Sequence, residues 1–154
     1  MFTMDDLLEI AVKMEKNGEA VYIDSVDKMP REELRQMVEW MAQEEAAHAK
    51  WFTGMQNRLK LDINEADLKE MVPSALQGMM GDKTLSLEEI DFTAIATTDE
   101  LIRTFIGFEK DTIAFYEVLE MFIEDETVLS GLRKIIEEEK NHVRELESRL
   151  GSLV

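Results

Sequence analysis

The sequence predicts an all-α protein: four long helices forming two antiparallel hairpins, with one long crossover between the second and third helices. Three observations predict this fold. Apolar residues recur every three or four positions in four long segments, which is the spacing of one buried helix face. The 154 residues include only two prolines and seven glycines, so few residues interrupt helices. The connection between the second and third segments is long enough to return along the whole bundle.

The first predicted hairpin covers residues 3–60. Its first helix extends from about Met4 to Met29 and ends before Pro30, because proline breaks a helix interior. The second helix extends from Arg31 to about Lys60. Its predicted buried face consists of Leu34, Val38, Met41, Glu45, His48, Phe52, Met55 and Leu59.

The predicted crossover, residues 61–98, differs in composition from the segments on either side. It contains Pro73 and two predicted short helices, Glu65–Met71 and Leu87–Asp91. Two hairpins joined by a single long crossover are the arrangement of the ferritin-like four-helix bundle.

The second predicted hairpin covers residues 99–150. Its first helix extends from about Asp99 to Ile123, and Thr97 with Glu100 forms a capping box at its start. The last helix extends from about Val128 to Leu150. We expect one domain, residues 1–154, to contain both hairpins and the crossover.

Charged residues occupy predicted core positions in all four helices, where an ordinary core would be apolar. The inward positions are Leu8, Ala11, Glu15, Gly18 and Tyr22 in the first helix and Ile102, Phe105, Glu109, Thr112 and Tyr116 in the third. Glu45 and His48 occupy the core face of the second helix, and Glu139 and His142 that of the fourth. Four glutamates would therefore meet inside the bundle, where their charges need a positive partner.

The two halves of the chain repeat this pattern at a fixed offset. Glu15, Tyr22, Glu45 and His48 each recur 94 residues later, as Glu109, Tyr116, Glu139 and His142. The chain contains only two histidines and two tyrosines, and both pairs obey the offset. The sequence therefore indicates a duplicated helical hairpin with a pseudo-two-fold axis.

The repeated residues have the chemistry of a two-metal site. Each half supplies two carboxylates and one imidazole, a donor set that suits Fe, Mn or Zn. Two divalent cations would neutralise the four carboxylates. One Glu from each of two helices and Glu-x-x-His from each of the other two is the pattern of di-iron and di-manganese carboxylate proteins. We therefore predict six metal ligands: Glu15, Glu45, His48, Glu109, Glu139 and His142.

These motifs resemble the rubrerythrin branch of the ferritin-like superfamily. The matching segments are Glu15-Lys16…Tyr22 with Glu45-Ala46-Ala47-His48, and Glu109-Lys110…Tyr116 with Glu139-Lys140-Asn141-His142. The resemblance implies a non-haem centre of two Fe ions, bridged by Glu45 and Glu139, that reduces hydrogen peroxide or dioxygen. It also implies that Tyr22 and Tyr116 hydrogen-bond to ligand carboxylates, with a catalytic role as a further possibility.

The chain departs from rubrerythrins in two respects. It has no cysteine, so we expect no rubredoxin domain, and we expect electrons from an external donor protein such as a rubredoxin. Rubrerythrins also carry an additional glutamate one turn from the third-helix ligand, where this chain has Ile106 and Thr112. Its symmetrical ligand set is closer to the ferroxidase centre of bacterioferritins. The alternative function is therefore a ferroxidase or iron-handling protein.

Charge and composition exclude several classes of partner. With 34 acidic and 17 basic residues the net charge is −17, which disfavours nucleic acids and anionic membranes. We find neither a membrane-spanning segment nor a secretion signal, and we expect a cytoplasmic homodimer. Trp40 and Trp51 lie off the buried stripe, and we expect them to pack against the crossover or a second subunit. In the acidic run 137–139, only Glu139 is in phase with the core.

Overall fold

The computed structural model describes residues 4–56 and 97–150, and its four long helices form a four-helix bundle. The helices are α1 (Met4–Ser25), α2 (Glu32–Gln56), α3 (Thr98–Glu120) and α4 (Glu126–Leu150), and a short 3-10 helix, Val26–Lys28, follows α1. No strand occurs within the described ranges. The predicted all-α bundle is therefore confirmed.

Some sequence predictions concern residues outside the described ranges. They include the short helices Glu65–Met71 and Leu87–Asp91, most of the crossover, and the end of the second helix at Lys60. The single-domain boundary at 1–154 also stays a prediction.

Local hydrogen bonds explain where the helices begin and end. The predicted cap of α3 is present, since Thr97 Oγ1 accepts a hydrogen bond from the Glu100 amide at 3.1 Å. By contrast, α4 begins two residues before the predicted Val128, because the Asp125 carboxylate caps it by accepting from the Thr127 amide at 2.9 Å and the Val128 amide at 3.1 Å. The α3 helix ends at Glu120, three residues before the prediction, in a turn closed by backbone bonds such as Ile123 N to Glu120 O.

Equivalent helices of the two hairpins run in opposite directions. α1 packs along α2 and α3 packs along α4. Between the hairpins, Tyr22 bonds to Glu109 and Tyr116 bonds to Glu15, so α1 and α3 are antiparallel. α2 and α4 are antiparallel as well, and each half therefore presents its polar core residues to the other.

Two separate apolar clusters form the core, one toward each end of the bundle. The first joins the start of α1 and the end of α2 to the end of α3 and the start of α4; its largest fully buried members are Leu7, Leu8, Phe52, Phe115 and Tyr116. The second joins the opposite ends of the same helices and includes Leu34, Met41, Ile102, Phe105 and Leu146. A layer of buried glutamates and histidines lies between them.

None of the described helices is both long and apolar enough to span a membrane.

Candidate metal centre

The structure brings all six predicted ligand residues together in the middle of the bundle. The four glutamates and His142 are 0% exposed, and His48 is 3% exposed. They form two groups of four that could each hold an ion: Glu15, Glu45, His48 and Glu139, and Glu45, Glu109, Glu139 and His142. Within each group, one potential ligand atom per residue lies within 4.8 Å of the others. Glu45 and Glu139 belong to both groups.

The helical repeat explains this convergence. Glu45 and His48 are three residues apart on α2, so both face the core, and Glu139 and His142 have the same spacing on α4. The predicted inward residues of α1 and α3 are all buried too. Because the halves are antiparallel, the duplicated motifs face each other across the bundle.

The two tyrosines each hold one oxygen of a glutamate from the opposite hairpin. The Tyr22 hydroxyl donates to Glu109 Oε1 at 2.5 Å, and the Tyr116 hydroxyl donates to Glu15 Oε1. The second oxygen of each glutamate, Oε2, is buried and has no hydrogen-bond partner among the described residues. Glu15 and Glu109 therefore each present one carboxylate oxygen to the centre.

Glu45 and Glu139 present two oxygens each. Neither oxygen of either carboxylate has a hydrogen-bond partner within the described part of the chain. A carboxylate with both oxygens available can bind one cation through each, whereas Glu15 and Glu109 have one oxygen occupied by a tyrosine.

These polar atoms fit a pair of cations. Buried carboxylate oxygens without donors are strongly unfavourable unless a positive charge compensates them. Among the described residues, four glutamates supply six such oxygens, and the Nδ1 atom of His48 lies 2.7 Å from Glu139 Oε1 without meeting the geometry of a hydrogen bond. Mixed carboxylate and imidazole donors suit divalent first-row metals. The clusters therefore fit a site for two metal ions.

The histidines are held so that Nδ1 faces the carboxylates. Nδ1 of His48 lies 2.7 Å from Glu139 Oε1, and Nδ1 of His142 lies 3.3 Å from Glu109 Oε1. The imidazole rings are 6.4 Å apart between centroids. One ring nitrogen of each half is therefore directed into the same polar layer.

Two further glutamates hold the outer nitrogens, and sequence reasoning missed them. His48 Nε2 lies 2.8 Å from Glu138 Oε2, and His142 Nε2 lies 3.0 Å from Glu44 Oε1. The solvated face expected for Glu138 was therefore wrong in part, since its side chain is 27% exposed and bonds to a buried histidine. The signal was present, because Glu44 and Glu138 obey the same offset of 94 residues.

Neighbouring carboxylates hold protons on both histidines. Burial by itself lowers the pKa of each imidazole, but the close carboxylates of Glu139 and Glu15 raise the pKa of His48 to about 11. In the same way, the carboxylates around His142, Glu109 first, raise its pKa to about 12. Both side chains are therefore imidazolium ions at neutral pH when no metal is bound.

The glutamates divide into two kinds. Burial raises the pKa of Glu45 and Glu139 well above the usual value, and repulsion from Glu109 raises both further. Burial by itself also raises the pKa of Glu109, but the close approach of the Glu139 carboxyl group and of His142 lowers it to about 2. In the metal-free protein, the protonated histidines and the raised pKa values of Glu45 and Glu139 thus reduce the negative charge of the glutamate cluster. Cations would neutralise that charge instead when they are bound.

Both tyrosine hydroxyls stay protonated. Burial, followed by the nearby glutamate charges, raises the pKa of Tyr22 and of Tyr116 well above 10. Each hydroxyl is consequently a permanent donor to its carboxylate.

The tryptophans occupy positions that the sequence did not indicate. The Trp51 ring packs against Phe52 and lies so close to Gly131 of α4 that a Cβ there would be 2.7 Å from Trp51 Cζ2. Trp40 packs edge-to-face against His142, with ring centroids 5.0 Å apart. Both therefore contact α4 within the same chain.

Comparison with known proteins agrees with this geometry. A family model described as Rubrerythrin matches residues 6–150. No curated protein sequence matches the chain. Among solved structures, the chain is similar to the crystal structure of a Thermotoga maritima protein assigned as a ferritin-like diiron-carboxylate protein. The TM-score is 0.72 and the sequence identity is 21%, and the match covers 99% of this chain and 97% of that chain. At that identity, the likeness shows the fold.

Proposed function

Since this chain belongs to the rubrerythrin family, we propose that it is a non-haem di-iron oxidoreductase. It would reduce hydrogen peroxide or dioxygen with electrons from an external donor protein. We further propose two Fe ions as the native cofactor, in preference to Mn or Zn, and a cytoplasmic location.

One observation carries the ligand assignment: the carboxylates differ in how many oxygens they present. Both oxygens of Glu45 and Glu139 lack a hydrogen-bond partner among the described residues, and both residues belong to the two four-residue groups. This supports a bridging role for these two. Glu15 and Glu109 have one oxygen held by a tyrosine, which supports a terminal role, beside His48 and His142 respectively.

The surrounding residues orient these ligands. A ligating histidine needs its other nitrogen fixed, usually by a carboxylate or carbonyl. Glu138 and Glu44 do this for His48 and His142, so that each presents Nδ1 to the centre. Each of these glutamates directly precedes a bridging glutamate in the sequence but holds the histidine of the opposite hairpin. The two halves are consequently tied together around the site.

The chain also controls protons and water at the site. A bound iron pair would supply the two electrons that convert one molecule of peroxide to two of water. The hydroxyls of Tyr22 and Tyr116 donate hydrogen bonds to the terminal carboxylates, which places a proton donor beside each half of the centre. The two apolar clusters cover the layer from both ends of the bundle and exclude bulk water from those directions.

The test is anaerobic loading with Fe(II), followed by rapid mixing with peroxide or with dioxygen. We expect two irons per chain and oxidation by at least one of these oxidants, followed by turnover when an electron-carrier protein and its reductase supply electrons. The double substitution Glu45→Ala with Glu139→Ala should abolish iron binding. Glu137→Gln, a change on the exposed face of the same helix, should leave it intact. Iron bound as expected but unreactive with both oxidants would contradict the proposal.

The second candidate is a ferroxidase or iron-handling protein. It is favoured by the symmetrical ligand set, in which each half contributes two glutamates and one histidine. Storage requires a closed shell, whereas peroxide reduction does not. Analytical ultracentrifugation would distinguish a multi-subunit cage from the homodimer that we predict. Retention of a ferric mineral after aerobic addition of excess Fe(II) would favour storage.

A further inference from the structure

Trp40 forms an aromatic connection between a buried histidine and the protein surface. Its ring packs edge-to-face against His142, which is 0% exposed, while Trp40 itself is 38% exposed. Single exposed apolar residues are common and need no explanation. This one is distinguished by its contact with a buried histidine of the polar layer.

Within residues 4–56 and 97–150, this aromatic connection exists in only one half of the centre. The residue equivalent to Trp40 under the 94-residue repeat is Lys134, whose side chain is 79% exposed. Its ammonium group lies 3.9 Å from Glu138, the carboxylate that holds His48. The outer surface near His48 thus carries an aliphatic chain and a charge, and the surface at His142 carries an indole. A delocalised ring system couples electronically to its neighbour far better than an alkyl chain does.

The surface around Trp40 is acidic. Glu39 precedes it on the exposed side of α2, and Glu44, one turn along, is 20% exposed while it bonds to His142. On the facing helix, Glu138 is 27% exposed, whereas the exposed Glu145 lies 4.0 Å from Arg149, which offsets part of its charge. The whole chain has a net charge of −17. Such a field accelerates the approach of a partner with a positive surface and repels a negative one.

From these contacts we propose that Trp40 is the docking point of a one-electron carrier protein with a basic face, and that electrons enter the centre through Trp40 and His142. The inference rests on the proposed di-iron function and specifies its electron donor. Each carrier is oxidised by one electron and the centre gains one electron, so two carriers reduce a diferric centre fully. No atom is transferred. Tryptophan also suits the docking role, because it is enriched among the residues that dominate interface energies.

The electron path is tested with hexaammineruthenium(II), an outer-sphere one-electron reductant, mixed with the diferric protein. Trp40→Leu should slow reduction by about tenfold or more, which corresponds to about 1.4 kcal/mol in the barrier. Trp40→Phe should restore most of the rate, because it keeps an aromatic ring against His142. Met121→Ala is the control for loss of an exposed apolar side chain. Iron content and the diferric optical spectrum should be the same in all four proteins. Reduction of Trp40→Leu at the wild-type rate would overturn the electron path.

Docking is tested separately on the metal-free protein, by NMR, with cytochrome c as a basic one-electron carrier and rubredoxin as an acidic one. Cytochrome c should shift the indole N–H signal of Trp40 and leave that of Trp51 unchanged. The shift should vanish between about 0.01 M and 1 M salt, as the screening length falls from roughly 30 Å to 3 Å. No shift at Trp40, or a stronger shift with rubredoxin, would overturn the docking surface.

The two proposals fail in different ways. A protein that binds iron and needs Trp40 for reduction, but reacts with neither peroxide nor dioxygen, would refute the proposed function and retain the electron path. A protein that reduces peroxide, but whose reduction does not depend on Trp40 and which does not bind cytochrome c, would support the proposed function and refute the electron path and the docking surface. If no iron binds, the docking surface is still decided by the NMR measurement.

Discussion

Metal binding should release protons, and the structure indicates how many. His48 and His142 have a pKa of about 11 and about 12, so both are protonated between pH 6 and pH 8. Each must lose the proton on Nδ1 before that atom can bind an ion. Glu45 and Glu139, whose pKa values are raised by burial, contribute up to one further proton each. Filling both positions should therefore release roughly two to four protons per chain.

This proton release sets the pH dependence of affinity. Each released proton changes the binding constant tenfold per pH unit, or about 1.4 kcal/mol. The overall constant for two ions should therefore strengthen at least about a hundredfold for each unit between pH 6 and pH 8. Anaerobic calorimetric titration with Fe(II), in two buffers of different ionisation enthalpy, counts the protons directly.

The control is Glu137→Gln, because Glu137 is exposed and pairs with Arg144 at 3.0 Å, away from the buried layer. It should leave the proton count unchanged. Release of less than one proton per pair of ions, or an affinity independent of pH, would refute the charge distribution derived for the metal-free site.

Three further predictions concern stability. The metal-free protein should lose stability from pH 6 to pH 9. The histidines and the two glutamates Glu45 and Glu139 have raised pKa values in the folded protein, so the native state binds more protons than the unfolded state. Chemical denaturation across this range measures the free energy of unfolding, and a value independent of pH would contradict the prediction. Gly131→Ala should destabilise the protein by about 1 kcal/mol, because overpacking against Trp51 outweighs the helix propensity gained. Gly107→Ala, whose added Cβ meets no atom within 4 Å, should stabilise the protein by about 0.5–1 kcal/mol. Equal effects of the two substitutions in thermal unfolding would refute the close packing at Gly131. Tyr22→Phe should lower the free energy of unfolding by about 1–3 kcal/mol, because Glu109 loses a buried donor, and an unchanged value would show that this bond is not stabilising.

Sequence periodicity predicted the helices and their buried faces because both depend on local spacing. The inward stripes of α1 and α3 are buried throughout, and the duplicated motif brought all six candidate ligands to one layer. The cap at Asp125 was missed because this residue lies before the apolar pattern of α4 begins. Its role is visible only in the hydrogen bonds that its carboxylate accepts from two backbone amides.

The partners of the histidines could not be derived from helix phase. Glu44 and Glu138 are one position out of phase with the core, and that position is ordinarily solvated. Their bonds depend on how closely α2 and α4 approach and on which way each imidazole turns. Both are tertiary properties, as is the contact of Trp40 with His142. The repeat at 94 residues nevertheless marked both glutamates.

The central claim is that the polar layer holds two metal ions, and anomalous diffraction at the iron absorption edge tests it most directly. The crystals should be loaded with Fe(II) without oxygen. We predict two peaks per chain about 3.5–4 Å apart, both between Glu45 and Glu139, with Nδ1 of His48 bound to one and Nδ1 of His142 bound to the other. Iron found only at the surface, or a single peak shared by both histidines, would contradict the account.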